Sequence, residues 1–362
     1  MKAAALTALV ALALVASAQA RPVSISATNG HTCSAMSDGT VTCWGKSYLP
    51  SLKSGVPEAF GGFTEAKDVE TSLRYNCVLL IRGRVSCWGD DGFGQLGDGR
   101  TVDSGVPDRV PGIATARAIT TGGFHACALL AGGRVRCWGR NESGQIGAGD
   151  RSVNVLKPTA IRLPPASAIS AGYNDTCAVA AGRVYCWGAN DRGQLGNGTT
   201  RLSASPTRVR RLSSAVGVSI ADKHACAVLS SGAAYCWGSG KFGDLGDGTS
   251  LDSLQPVRVR GLAHASAIST ATHGYTCALA RGRVYCWGHN QKNVLGHGPL
   301  PPANALPVRA VGITHATSIT TGIGHACALV PGGADCWGYD DYGQLGNGQS
   351  PPLIRNPNAV AY

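Results

Sequence analysis

Beyond its first twenty residues this chain has no apolar run long enough to cross a membrane, no low-complexity tail and no segment that reads as a linker. Those absences argue against a helical membrane protein. They also argue for one domain, although 362 residues would ordinarily suggest two or three. Charge is sparse, at 15% of residues, and lopsided, with 32 Lys and Arg against 21 Asp and Glu for a formal +11. Gly-x-Ser-x-Gly is absent, and no glycine-rich loop carries the lysine and helix start of a phosphate cradle. No Ser-His-Asp triad has local support, so no catalytic residue and no cofactor is expected.

Glycine is abundant, at 50 residues, which indicates many tight turns. The 14 cysteines and seven tryptophans follow one beat. Cys-Trp-Gly begins at Cys43, Cys87, Cys137, Cys186, Cys236, Cys286 and Cys336, about every 50 residues, and takes in every tryptophan. Each remaining cysteine lies nine or ten residues upstream of one of these. A fixed period of this length means a repeat architecture with one supersecondary unit per beat.

Residues 1–20 stand apart. Lys2 gives a positive start, Ala3 to Ala16 is an Ala/Leu/Val run, and Ala18-Gln19-Ala20 has a small-x-small cleavage pattern. A signal peptide is expected over 1–20 and a mature chain over 21–362, secreted to an extracellular or periplasmic space. Residue 21 is Arg, which does not fit a lipoprotein anchor. An even cysteine count in an oxidising compartment points to bridges and not to metal ligands. The basic balance serves solubility or favours an anionic partner.

Unit five shows the strands. Val218–Ile220, His224–Val228 and Ala233–Trp237 read as three, and Pro256–Val259 as a fourth extended piece that precedes the next unit. Four short strands per beat make one propeller blade, so the expected fold is all-β, a seven-bladed β-propeller. Cys226 and Cys236 are symmetric about Ser231, which leaves Ser230-Ser231-Gly232 as a three-residue hairpin loop with Gly at the left-handed position. Where the cysteines are one residue closer, the loop is two residues, as in Ala181-Gly182 and Arg281-Gly282. Either layout sets the cysteines opposite each other at a non-hydrogen-bonded pair, about 4.5 Å apart at Cα and within disulfide reach. Seven bridges follow: Cys33-Cys43, Cys77-Cys87, Cys127-Cys137, Cys177-Cys186, Cys226-Cys236, Cys277-Cys286 and Cys327-Cys336. Each tryptophan then points to the face opposite its neighbouring cysteine, toward the adjacent blade. Unit one has no Pro-x-x-Val strand before it, and the C-terminus has a spare one at Asn356–Val360. The C-terminal strand is therefore expected to complete the first blade.

The run Gly-x-x-His-x-Cys-Ala-Leu, then Gly-Arg-Val-x-Cys-Trp-Gly and Gly-Gln-Leu-Gly-x-Gly, resembles the repeat of the regulator of chromosome condensation family. Gly193–Gly198 and Gly343–Gly348 match it closely. The resemblance covers residues 21–362 and implies a seven-bladed propeller closed by strand exchange between the termini. The family's eukaryotic type member is a nuclear exchange factor for a small GTPase that binds chromatin. An export signal and paired cysteines argue against that role here. In length, signal and repeat the chain is also similar to the secreted bacterial β-lactamase-inhibitory propellers. That likeness implies binding of a protein target through aromatic and charged loop residues on one ring face.

Two motifs invite a metal reading. His-x-Cys occurs at His31, His125, His224 and His325, but the spacing to the second cysteine does not suit a zinc knuckle. Three units replace the histidine with Tyr75, Asp175 and Tyr275 while keeping their cysteines. A hydrogen-bonded turn histidine is expected, and no metal. Arginines recur at template positions, Arg84, Arg134, Arg183 and Arg283 among them, as a solvated rim or a polyanion-binding ring. What differs between units is the loop after Cys-Trp-Gly. It carries Tyr48 in unit one; Asp90, Asp91 and Phe93 in unit two; Glu142 in unit three; and Arg192 in unit four. It carries Lys241 and Phe242 in unit five, His289 and Lys292 in unit six, and Tyr339, Asp340, Asp341 and Tyr342 in unit seven. Aromatics beside charges are what protein-binding hot spots use. Unit one departs most, lacking Gly-Gln-Leu-Gly and adding Phe60 and Phe63, as a partner site or an irregular closing blade. The expected function is a secreted, monomeric, non-enzymatic propeller that binds an extracellular protein, an inhibitor among the possibilities. The alternatives are binding of nucleic acid or a surface glycan through the arginines, and exchange-factor activity on a small GTPase.

Overall fold

A computed structural model describes residues 20–46, 53–151, 153–299, 301–348 and 354–362. The expected signal peptide, apart from Ala20, and Tyr48 lie outside the described residues. Seven antiparallel sheets of four strands form the propeller ring. In blade five the strands run Ala215–Ile220, His224–Leu229, Ala234–Gly238 and Ser253–Arg258, in that order from channel to rim. The Pro-x-x-Val segment is therefore the outer strand of its own blade.

This corrects the expected closure. The C-terminal strand Ile354–Ala359 pairs with Gly333–Gly338 and completes blade seven, while blade one has its own outer strand, Lys53–Ala59. The sequence carries the reason: Ser54-Gly55-Val56-Pro57 repeats as Ser104-Gly105-Val106-Pro107 in the outer strand of blade two. Unit one never lacked that strand, so no strand is exchanged between the termini.

Each blade's hairpin is pinned by its disulfide, Cα to Cα 4.0–4.1 Å, and no cysteine is free. Cys226 faces Cys236 in register. Ala181 and Gly182 both take positive φ, the left-handed geometry that a two-residue hairpin turn requires. Because alternate residues face opposite ways, each bridge packs against the tryptophan of the following blade. Cys177 and Cys186 meet Trp237, and Cys327 and Cys336 meet Trp44. All seven indoles are buried.

The indole N–H is satisfied by the loop of the preceding blade. Trp138 donates to the Gln95 carbonyl, Trp187 to Gln145 and Trp237 to Gln194, at 2.8–2.9 Å. Trp88 is the exception, because blade one has no Gly-Gln-Leu-Gly loop. Phe60 stacks on it with centroids 4.9 Å apart, and Phe63 packs at 5.8 Å. With its amide turned toward the ring, Asn76 accepts from Trp88 Nε1 at 3.3 Å. Phe60 and Phe63 thus serve the irregular blade as packing.

Candidate binding face

Three histidines build relays between blades. His125 Nε2 bonds Thr176 at 2.9 Å, the Thr176 hydroxyl donates to the Gln145 carbonyl at 2.8 Å, and Trp187 donates to that same carbonyl. His224, Thr276 and Asp244 repeat the relay, as do His325, Thr32 and Gln344. Since the threonine hydrogen goes to the carbonyl, Nε2 of the histidine is the donor. Burial pushes these imidazoles down, to about 3 for His125 and His325 and about 4 for His224, so they stay neutral.

The same contact explains where histidine is replaced. His31, His125, His224 and His325 face Asn76, Thr176, Thr276 and Thr32 of the next blade. Tyr75, Asp175 and Tyr275 precede blades whose equivalent residue is Ala126, Ala225 or Ala326. With no hydroxyl to meet, Tyr275 reaches past the alanine to the Gly322 and His325 carbonyls at 2.9 and 2.7 Å. Tyr75 does the same at Gly122 and His125. Among the described residues no cluster of His, Cys, Asp and Glu is placed to hold a metal.

A belt of hydroxyls lines the central channel, a cavity of about 340 Å³. Ser26, Thr120, Ser170, Ser219 and Thr320 each accept a backbone N–H from the next blade at 3.0–3.1 Å. Glu70 holds this position in blade two. Desolvation pushes its carboxyl well up, and neighbouring Asp68 adds to the shift.

The loops after Cys-Trp-Gly emerge beside the connections between inner and second strands, and their aromatics meet across blade boundaries. Phe93 packs on Phe124 of blade three at 5.2 Å, and Phe124 on Tyr173 of blade four at 5.9 Å. Arg140 lies over both phenylalanines at 5.0 and 5.9 Å and pairs with Glu142. Two further sets lie in blades five and six and in blades six, seven and one. Lys241 lies over Phe242 at 5.2 Å, Phe242 packs on His289 at 4.6 Å, and Lys292 lies over Tyr339 at 5.2 Å. Tyr339 meets Tyr342 at 6.0 Å and bonds Asp341, and Lys46 lies over Tyr342 at 5.0 Å. Arg192 is exposed near Asp252 at 3.7 Å, and Asp90 pairs with Arg74 at 3.5 Å.

Asp91 and Asp340 are corrections. The sequence places them among the surface contacts, but both are buried. Their Oδ1 atoms accept the N–H of Leu96 and Leu345 at 2.8 and 3.0 Å, as Asn141, Asn190 and Asn290 do for Ile146, Leu195 and Leu295. They close the loop from inside. Burial pushes Asp91 up to about 7 and Asp340 to about 6. Phe124 and Tyr173, conversely, were missed. Their signal is a phenyl or phenol ring one or two residues before His-x-Cys or Asp-x-Cys, where none of the other five units has one.

The family model of the Regulator of chromosome condensation (RCC1) repeat matches residues 82–129, 132–179, 181–228, 231–280 and 281–329, with a second model of the repeat on 116–145 and 216–244. The chain belongs to the regulator of chromosome condensation repeat family. No curated protein sequence matches it. Human WBSCR16 superposes with a TM-score of 0.76 at 20% identity, over 87% of this chain and 88% of that one. Prp20p of Saccharomyces cerevisiae, described with its binding to Gsp1p and histones, superposes at 0.76 and 16% identity, over 93% and 86%. The ectodomain of the Physcomitrella patens receptor kinase CR4 superposes at 0.53 and 20% identity, over 88% and 73%. At these identities the likeness is one of fold. Propellers of this repeat family commonly mediate protein binding. No helix among the described residues is long and apolar enough to cross a membrane, and seven disulfides fit an oxidising, extracellular environment.

Proposed function

We propose that this protein is a secreted, non-enzymatic scaffold that binds another extracellular protein through the face bearing the loops after Cys-Trp-Gly. One observation carries the reading: the aromatic and cationic residues that the repeat does not require are the ones that touch across blades. Phe93, Phe124 and Tyr173 form one half-buried row, while Phe242 packs on His289 and Tyr339 on Tyr342 in two separate pairs. Rigid aromatics set among charges give contact area at low entropic cost, which is the makeup of an interface hot spot. Inhibition of an enzyme is one use of such a face. The test is binding of extracellular proteins by the oxidised, mature chain, compared with a Phe93→Ala, Phe242→Ala, Tyr339→Ala, Tyr342→Ala variant that melts normally. Undiminished binding by the variant rejects this face.

A second reading has its own support on the opposite side, at the hairpin turns. Arg134, Arg183, Arg281 and Arg283 are exposed, and no ion pair among the described residues involves them. The sequence has no Asp or Glu between Asp252 and Asp335. A nucleic acid or anionic glycan bound there would leave as salt rises, because its capture releases counterions. Exchange-factor activity has only the family's name in its favour, with structural relatives too distant to carry it.

A further inference from the structure

A pocket on the loop face is opened by a local departure from the repeat. Gln95, Gln145, Gln194 and Gln344 each turn the side-chain oxygen back to the N–H two residues earlier, at 2.9–3.0 Å. Blade five has Asp244 there, one methylene shorter. Its main-chain carbonyl still serves Trp287 at 2.9 Å and Thr276 at 3.3 Å, so the scaffold contact is kept. Asp244 is 2% exposed, and its Oδ1 has no hydrogen-bond partner. Gly274 of blade six lies against it: a Cβ at that glycine would stand 3.2 Å from either carboxyl oxygen. A cavity of about 360 Å³ opens at this junction, lined by Phe242, Asp244, Thr272, His273, Lys223 and Lys241 among others.

We propose that this cavity seats a primary carboxamide of the partner chain, an Asn or Gln side chain or an amidated end, in the place that other blades fill with their own glutamine. This rests on the reading that the loop face binds protein. The carboxamide N–H donates to the bare Oδ1, its oxygen accepts from the Thr272 hydroxyl, and its methylenes lie on the Phe242 ring. A buried acceptor without a donor is destabilising, and a ligand N–H removes that penalty. Burial also pushes the Asp244 carboxyl up to about 8, so at neutral pH it is largely the protonated acid; with the proton on Oδ2, Oδ1 stays an acceptor, and the uncharged acid gives an ammonium ion little to pair with. Asp252, paired with Arg192 at 3.7 Å, and Lys223, paired with Asp191 at 3.2 Å, also line the cavity, so Lys241 is the charge there outside any ion pair among the described residues, and it repels an ammonium. A carboxylate brings no hydrogen for Oδ1.

The probe is N-acetylglutamine methylamide, titrated into the oxidised protein while the backbone amide resonances of Phe242, Thr272 and Gly274 are followed. Propylammonium and butyrate are the controls. Saturable shifts are expected with the carboxamide and not with either control. Asp244→Gln fills the seat with the repeat's own residue; it should weaken the probe at least about tenfold and raise Tm. Asp244→Ala removes the acceptor without filling the cavity, and should lose the probe without a rise in Tm. Absence of saturable shifts, saturation by propylammonium instead, or wild-type affinity in Asp244→Gln overturns the proposal. Capture of a protein partner by Asp244→Gln at full strength would overturn the seat and leave the protein-binding reading standing. Probe binding without any protein capture would overturn that reading and leave the pocket as a carboxamide site.

Discussion

The Trp44 indole donates to the main-chain carbonyl of Gln344 at 2.9 Å, across 300 residues of sequence. Thr32 donates to the same carbonyl at 3.0 Å, and Ala27 N–H to Thr320 at 3.1 Å. The ring therefore closes with the contacts that join its other blades, and no strand crosses the seam. The C-terminal residues cover it. Val360 belongs to the cluster around Trp44, and the Tyr362 ring meets the indole edge-on at 5.8 Å.

Removal of residues 360–362 should accordingly cost about 2–3 kcal/mol from lost apolar burial. Thermal melting and Trp44 fluorescence follow it. An unchanged Tm would mean that the seam needs no cover.

The pairing of His with Thr, and of Tyr with Ala, between successive blades is testable by exchange. Tyr75→His alone should cost about 3 kcal/mol, since it leaves a cavity and a histidine facing Ala126. Adding Ala126→Thr rebuilds the relay seen at His125 and Thr176, and should return about 1 kcal/mol. A double-mutant cycle in denaturant measures the coupling. Purely additive effects would remove the pairing rule.

Two sets of groups shape stability against pH with opposite sign. The relay histidines have folded values depressed to about 3–4. The unfolded chain takes up their protons first, so stability is lost as pH falls from about 6.5 toward 3. Asp91 and Asp340 have folded values raised to about 7 and 6, so their contribution is lost as pH rises from about 4 through those values. Their Oδ2 atoms have no partner, whereas Asn141 and Asn190 donate from Nδ2 to a loop carbonyl. Asp91→Asn with Asp340→Asn should therefore stabilise by about 1–2 kcal/mol per site at pH 8 and by less at pH 4. Chemical denaturation at the two pH values reads this, and equal gains at both would refute it.

Glu70→Thr completes the hydroxyl belt of the channel. It removes a carboxyl whose pKa is raised by desolvation, so the gain should be about 1 kcal/mol or more at pH 8 and shrink toward pH 4. Differential scanning calorimetry gives the comparison. A destabilised variant at pH 8 would assign Glu70 a structural part that the other six blades do without.

Much of the fold is legible in the chain itself. The Cys33-Cys43 register follows from strand alternation and hairpin symmetry, both local rules, and Trp44 on the opposite face follows from the same alternation. The phase of the repeat does not follow, because Pro256–Val259 sits between two units and local pattern assigns it to neither. Ser54-Gly55-Val56-Pro57 holds the answer in unit one. The loop residues are half legible. Phe93 and Tyr342 stand out as departures from the repeat, but only loop geometry separates surface Asp341 from buried Asp340. Phe124 and Tyr173 join Phe93 through blade-to-blade contacts about 30 to 50 residues apart, which no local pattern reports.

The most direct test of the binding face pairs two oxidised variants against one pool of extracellular proteins. One carries Phe93→Ala, Phe242→Ala, Tyr339→Ala and Tyr342→Ala; the other carries Arg134→Ala, Arg183→Ala, Arg281→Ala and Arg283→Ala. Captured protein should be lost with the aromatic variant, kept with the arginine variant, and little changed by salt. Capture that survives the aromatic changes, vanishes with the arginines and falls steeply with salt would place the function on the hairpin side and contradict protein binding through the loop face.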